Sequence, residues 1–205
     1  LLYRGFTIGF GDVIIENDKL KMIKMEVEEK CYNINSIITE LENNPFLLPY
    51  EIGENKILKE ISAVNSNIAN TVMNSLDKNN NIHILINSGA KGKPLNAGCM
   101  IGCLGQQLIE QQRPKKSVNN RVTVHNFYND DRVESRGFAL NSYYQGIRPQ
   151  DYFTSVGSAR VGTMDTALNT AVSGYLQRKL IKHLENIIVT YDGSVRNGNY
   201  LIQHN

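Results

Sequence analysis

The sequence predicts a mainly α-helical protein with small β and irregular parts, organised as an antiparallel helical hairpin plus one long helix. Two amphipathic stripes and one proline-free stretch near the C-terminus carry that reading. The 205 residues are 41% hydrophobic and 20% charged, which is ordinary globular composition and enough chain for one large domain or two small ones. The formal net charge is only +2, so any nucleic-acid surface must come from local clustering of basic residues.

The chain opens with apolar residues punctuated by glycine, Gly5-Phe6-Thr7-Ile8-Gly9-Phe10-Gly11-Asp12-Val13-Ile14, which predicts strand and tight turn over residues 1–16. Leu20, Ile23, Val27, Cys31, Ile34, Ile38 and Leu41 then recur at steps of three and four, the spacing of one helix face. Asn43-Asn44-Pro45 ends that helix, because proline cannot continue the hydrogen-bond ladder and restricts its predecessor. Ile57, Ile61, Val64, Ile68, Val72 and Leu76 repeat the pattern, and Asn79-Asn80-Asn81 closes it. Two such helices joined by a short proline-containing link predict an antiparallel hairpin with both stripes in the core.

An apolar patch at 82–87 precedes a break at Ser88-Gly89-Ala90-Lys91-Gly92-Lys93-Pro94. A helix is expected from about Asn96 to Gln112, then irregular chain over 113–148, with Arg113-Pro114-Lys115-Lys116 as a basic surface loop and Asp130-Asp131 solvated. From Pro149 to about Thr190 there is no further proline, and Pro149 and Asp151 suit the first turn of a helix. A helix of that length reaches on the order of 60 Å. Its middle, Asp165 to Ser173, is small and weakly polar nearly all round, so it is expected to bridge a space. Gly174 interrupts the helix at a cost of roughly 1 kcal/mol relative to alanine, which suggests a bend or a close approach. Arg178, Lys179 and Lys182 lie just downstream, with Arg160 upstream; small residues flanked by basic ones suit a helix that nucleic acid approaches closely.

Several chemistries find little support. The Ser88–Lys93 stretch fails the phosphate-loop template, since Pro94 stands where Ser/Thr is required and Asn87 where the first glycine belongs. A lysine between two glycines can still offer its ammonium to a phosphate, and a solvated surface turn is the plainer alternative. His83, His125, His183 and His204 are scattered, with no partner pattern for nucleophilic catalysis. Cys31, Cys99 and Cys103 lack a zinc-ligand spacing, so zinc is not expected and buried free thiols are. No membrane span or targeting segment is visible, and a start at Leu1 with no terminal feature at Asn205 reads as a piece of a longer protein.

Taken together, the motifs resemble the largest subunit of multisubunit DNA-directed RNA polymerases of the eukaryotic, archaeal and large-DNA-virus type. Gly5–Asp12 resembles the segment that opens the family's funnel, and Ser88–Asn96 its Gly-Ser-Lys-Gly…Asn stretch. Leu104-Gly105-Gln106-Gln107, Arg136-Gly137-Phe138 and Asn141-Ser142-Tyr143 fall in the family's order. The strongest likeness is to the family's bridge helix and the region after it. It runs from Gly146-Ile147-Arg148-Pro149-Gln150-Asp151-Tyr152-Phe153 through Asp165-Thr166-Ala167, Thr170-Ala171 and Gly174-Tyr175-Leu176-Gln177-Arg178-Lys179-Leu180 to Tyr191–Asn197.

The resemblance implies a funnel region over 1–145 and a bridge helix with the start of the next region over 146–205. Thr170 and Ala171 would face the nascent base pair. Gly174, Tyr175, Arg178 and Lys179 would lie along the template, and Lys91 near the triphosphate of the incoming nucleotide. It implies nucleotidyl transfer by the whole enzyme with two Mg²⁺ ions, whose Asp-rich ligand loop is not in this sequence, so this piece alone should be inactive. Implied partners are the DNA template, the RNA–DNA hybrid, NTPs, the second-largest and other subunits, and a transcript-cleavage factor in the funnel. The implied location is the nucleus for a cellular enzyme, or the virion or host cytoplasm for a large DNA virus.

The sequence also departs from the family. Ser155-Val156-Gly157-Ser158-Ala159-Arg160-Val161-Gly162 stands in place of His-Ala-Met-Gly-Gly-Arg-Glu-Gly, where amanitin contacts nuclear enzymes, so weak toxin sensitivity is expected. Cys99 replaces a common glutamine and Asn169 a common lysine. The competing reading is a helical scaffold or interaction module with no nucleic-acid role, which leaves the small-residue helix and its basic flank unexplained.

Overall fold

The computed structural model describes residues 3, 5–44, 49–198 and 200–203. It is mainly α-helical with small antiparallel sheets, and it divides into two compact units, Leu1–Ser158 and Ala159–Asn205.

The first unit is built on α1 (Asn17–Asn43) and α2 (Tyr50–Ser75). Their stripes form the core: Ile23, Val27, Cys31, Ile34 and Ile38 from α1, with Ile57, Ile61, Val64, Ile68 and Val72 from α2. Two cross-contacts fix the antiparallel sense. The Thr71 hydroxyl donates to Glu26 Oε2 at 3.2 Å, and at the other end Gly53 faces the Leu41 side chain. The expected hairpin is therefore present, and Asn44 caps α1 as the sequence indicates, its amide donating to the Glu40 carbonyl. Pro45 lies outside the described residues.

Three expectations are corrected. Residues 5–16 contain no strand; a single 3₁₀ turn, Phe10–Val13, takes their place, because Asp12 folds back to accept the Gly9 amide at 2.8 Å. The helix expected over 96–112 ends early. A short α4 (Pro94–Ala97) passes into a π-type turn, Gly98–Gly102, and then into strand β1 (Gly105–Gln106). Packing against α2 overrides the periodicity there: a Cβ at Gly102 would lie 2.9 Å from Ile68, and Gly105 takes φ +75° with its would-be Cβ 2.5 Å from Asn65 Oδ1. β1 pairs antiparallel with β2 (Phe138–Ala139), the strand within the otherwise irregular 113–148 stretch. Between α2 and α4, the apolar patch at 82–87 is helix α3 (Asn81–Asn87).

The third correction concerns charge. Arg113 is no surface residue but 2% exposed, and its guanidinium clasps Glu54 of α2 through Nε at 2.9 Å and Nη2 at 2.7 Å. Asp130 and Asp131 are not free in solvent either. Asp131 takes Lys116 at 2.7 Å and Arg136, while Asp130 holds Arg132 at 2.8 Å and accepts the Ser135 hydroxyl. Burial raises the Glu54, Asp130 and Asp131 carboxyls, but their cationic partners outweigh it and hold all three below the usual range, Asp130 at about 2. This cluster fastens the irregular loop to the hairpin.

The long helix is α5, Pro149–Leu184, 36 residues or about 54 Å. It stops before Thr190 because Ile187–Val189 is strand β3, paired with β4 (Val195–Asn197), which in turn pairs with β5 (Tyr200–Gln203). Its first turns belong to the first unit. Asp151 and Thr154 are buried, Arg148 pairs with Asp151 at 2.8 and 3.1 Å, and the Ser158 hydroxyl donates to the Leu108 carbonyl at 2.6 Å. Among the described residues no helix is long and apolar enough to cross a membrane.

Candidate nucleic-acid interface

Six of the residues singled out from sequence share two to three turns of α5: Thr170, Ala171, Gly174, Tyr175, Arg178 and Lys179. All are exposed, as is every residue from Gly162 to Leu184. Thr163, Thr166, Thr170 and Ser173 each return their hydroxyl to the carbonyl four residues back, at 2.7–2.9 Å, so their polar groups are satisfied within the helix. Lys182 and His183 in the last turn complement the negative end of the helix dipole, as Asp151 does the positive end.

At 100° per residue the exposed surface sorts into three strips. The hydroxyl residues form one. Val161, Met164, Leu168, Val172 and Tyr175 form another, nearly opposite, with Leu168 60% and Val172 69% exposed. Between them Arg160, Ala167, Ala171, Gly174 and Arg178 fall within about 60° of one another. The two arginines are about five turns, or about 27 Å, apart, and the side chains between them are no larger than a methyl group in that strip. A Cβ at Gly174 would meet nothing within 4 Å. No described residue of this chain therefore accounts for a close approach at Gly174. Lys179 holds its ammonium 4.2 Å from the centre of the Tyr175 ring, fixing both side chains beside the strip. The arrangement offers positive charge at two ends of a shallow, featureless track. Phosphates suit the ends, and a flat base or base pair suits the middle.

Lys91 belongs to the other unit. It is exposed in the loop between α3 and α4, between Gly89 at φ +68° and Gly92 at φ +83°. Gly92 sits over Ile86 of α3, and the Lys93 amide donates to Asn96 Oδ1 at 2.8 Å, so both ends of the loop are held. Sequence reasoning missed the ion cluster of Glu54, Arg113, Arg136, Asp131 and Lys116. Glu54 joins Arg113 across 59 positions and Arg136 across more still, and no short-range pattern marks them. The cluster's charges satisfy one another, and nothing in it is poised for chemistry.

Cys31 and Cys103 are buried free thiols, both pushed up to about 12, chiefly by burial. Among the described residues no three His, Cys, Asp or Glu side chains converge to hold a metal ion.

These features define a helix-built segment carrying a long, exposed helix. Residues 48–139 match the family profile "RNA polymerase Rpb1, domain 4", and residues 146–205 match "RNA polymerase Rpb1, domain 5". Over 199 residues, 97% of this chain, the sequence is 39% identical to "DNA-directed RNA polymerase subunit 1" of Acanthamoeba polyphaga mimivirus. The chain belongs to the family of largest subunits of DNA-directed RNA polymerase. It spans 13% of the length of that viral relative.

Proposed function

We propose that this segment forms the funnel and the bridge helix of a DNA-dependent RNA polymerase. Residues 1–145 build the funnel by which NTPs arrive, and residues 146–205 carry the bridge helix and the start of the region after it. The observation that carries the reading is the Arg160–Arg178 strip on α5: small residues between two arginines, on a helix with no apolar cover. Within the whole enzyme, Thr170 and Ala171 face the nascent base pair, Gly174 and Tyr175 lie beside the template, and Arg178 and Lys179 neutralise its phosphates. Lys91 reaches the triphosphate of the incoming NTP.

The reaction is attack of the RNA 3′-hydroxyl on the NTP α-phosphate with release of pyrophosphate. Mg²⁺ would polarise those oxygens when bound. Its ligands would be the carboxylates of an Asp-rich loop of the whole enzyme. The segment alone positions template and substrate and is inactive. Its partners are the template, the RNA–DNA hybrid, NTPs, the second-largest and other subunits, and a cleavage factor entering the funnel. The viral likeness supports a large-DNA-virus enzyme working in the virion or host cytoplasm, with the nucleus as the site for a cellular one.

The test is R178A/K179A in the assembled polymerase. Weaker template binding, with a salt dependence shallower by about two charges, is expected. Unchanged template affinity and salt slope would instead favour a helical scaffold with no nucleic-acid role.

A further inference from the structure

The glycine-rich opening of the chain is tied to α3 by more bonds than a surface turn needs. The Asp12 carboxylate accepts the Gly9 amide at 2.8 Å, the Asn81 amide at 3.3 Å and the Asn81 side-chain amide at 3.4 Å. Asn81 Nδ2 also donates to the Thr7 carbonyl at 2.9 Å, and Asn80 Nδ2 to the Asp12 carbonyl at 2.8 Å. Asn80 meanwhile caps α3, its side chain accepting the Ile82 amide at 2.9 Å. The Asp12 carboxylate therefore holds the first residue of α3, next to its Asn80 cap. The Gly9 amide above all, joined by the Asn81 groups, holds this carboxyl below its usual range, so it stays ionised at working pH.

What α3 carries is the Lys91 loop. The helix is only seven residues long, and it anchors the loop through Ile86, whose side chain meets Gly92 and whose carbonyl accepts the Gly89 amide at 3.1 Å. The loop's far end is tied to α4 by the Lys93–Asn96 bond. A shift of so short a helix passes directly to the loop, and a displacement of about 1 Å at a substrate-positioning group can cost on the order of a hundredfold. We infer that Asp12 is a positioning residue for substrate binding: through Asn81 it fixes α3, and through α3 it holds the Lys91 ammonium where an NTP triphosphate is received. This rests on the proposed role of Lys91 as a triphosphate contact.

The experiment uses the assembled polymerase with the full-length subunit, with NTP as probe and KM and kcat measured separately. K91A is expected to raise KM for NTP by about tenfold, and D12A by about three- to tenfold, with kcat within about twofold in each. D12N keeps an oxygen that accepts from Gly9 and Asn81 and should restore most of the wild-type KM. N81A, which removes the side-chain bonds but leaves the backbone intact, should raise KM less than D12A. D12A added to K91A should raise KM no further, because the carboxylate acts through the lysine. If K91A leaves KM unchanged, the reading of Lys91 fails and the inference falls with it. If K91A raises KM but neither D12A nor N81A does, or D12A acts equally in the K91A background, Asp12 does not position Lys91 and the inference alone is overturned.

Discussion

The two units of this chain are stabilised in opposite ways. In Leu1–Ser158, apolar stripes of α1 and α2 meet in a shared core, and a buried ion cluster clamps the irregular loop onto it. In Ala159–Asn205, Ser194 is the one buried residue among those described, while Met164, Leu168, Val172, Tyr175, Leu176, Leu180 and Ile181 are all exposed. The bonds of that second unit are local: the helix's own backbone ladder, strand pairs in the sheet, and the Asp192 turn, whose carboxylate accepts the Ser194 amide and hydroxyl and pairs with Arg196. Because burial drives folding, a helix without it is maintained for what its surface meets, not for what its interior packs. The first unit is thus held by its own core and the second by local bonds, with its apolar side chains left uncovered.

Substitutions should separate the two regimes. A large effect is expected from R113A, which empties a buried site and leaves half-buried Glu54 only Arg136 at 3.9 Å; a loss of about 3 kcal/mol should appear in urea unfolding of the chain. I61A in the α2 stripe should cost about 2–5 kcal/mol, whereas L168A on the exposed face should change stability by less than about 0.5 kcal/mol. Equal losses for the two would erase the contrast.

Gly174 probes both regimes at one position. Leucine there meets no neighbour within 4 Å and should strengthen the helix by roughly 1 kcal/mol in the chain alone, read by thermal melting. In the assembled polymerase the same change should slow elongation several-fold, since the side chain fills the track between the arginines. The smallest effect is electrostatic. Asp130 has its folded pKa lowered from 3.8 to about 2, so its contribution is complete above pH 4 and is lost as pH falls through 2. D130N should flatten the acid limb of the stability–pH profile in that window, by lowering stability at pH 7 while leaving it nearly unchanged below pH 2.

The readable part of this fold was its short-range part. Residues of α1 and α2 three and four apart announce one buried face each, and the absence of proline after Pro149 announces the length of α5. The small, weakly polar run from Asp165 to Ser173 likewise announces an uncovered helix, and the candidate interface was legible for the same reason: its residues are neighbours on one helix. Contacts made over long separations left no pattern. Alternating glycine and apolar residues fit a strand or a loop equally well until Asp12 is seen to turn back on Gly9. The 96–112 stretch has helical spacing, yet Gly102 and Gly105 are required by the closeness of Ile68, Val72 and Asn65, residues of another helix. Arg113 looked like part of a basic loop because Glu54 lies 59 positions away.

If α5 is the bridge helix, its Arg160–Arg178 strip, and not the opposite side of the helix, lies against nucleic acid. Photo-crosslinking from a benzophenone amino acid placed at Ala171 or at Leu176, in the assembled polymerase on a template–RNA scaffold, reads out which side does. Position 171 is expected to label the template or the nascent RNA, and position 176 to label protein. Equal labelling of nucleic acid from both, or none from position 171, would contradict the assignment.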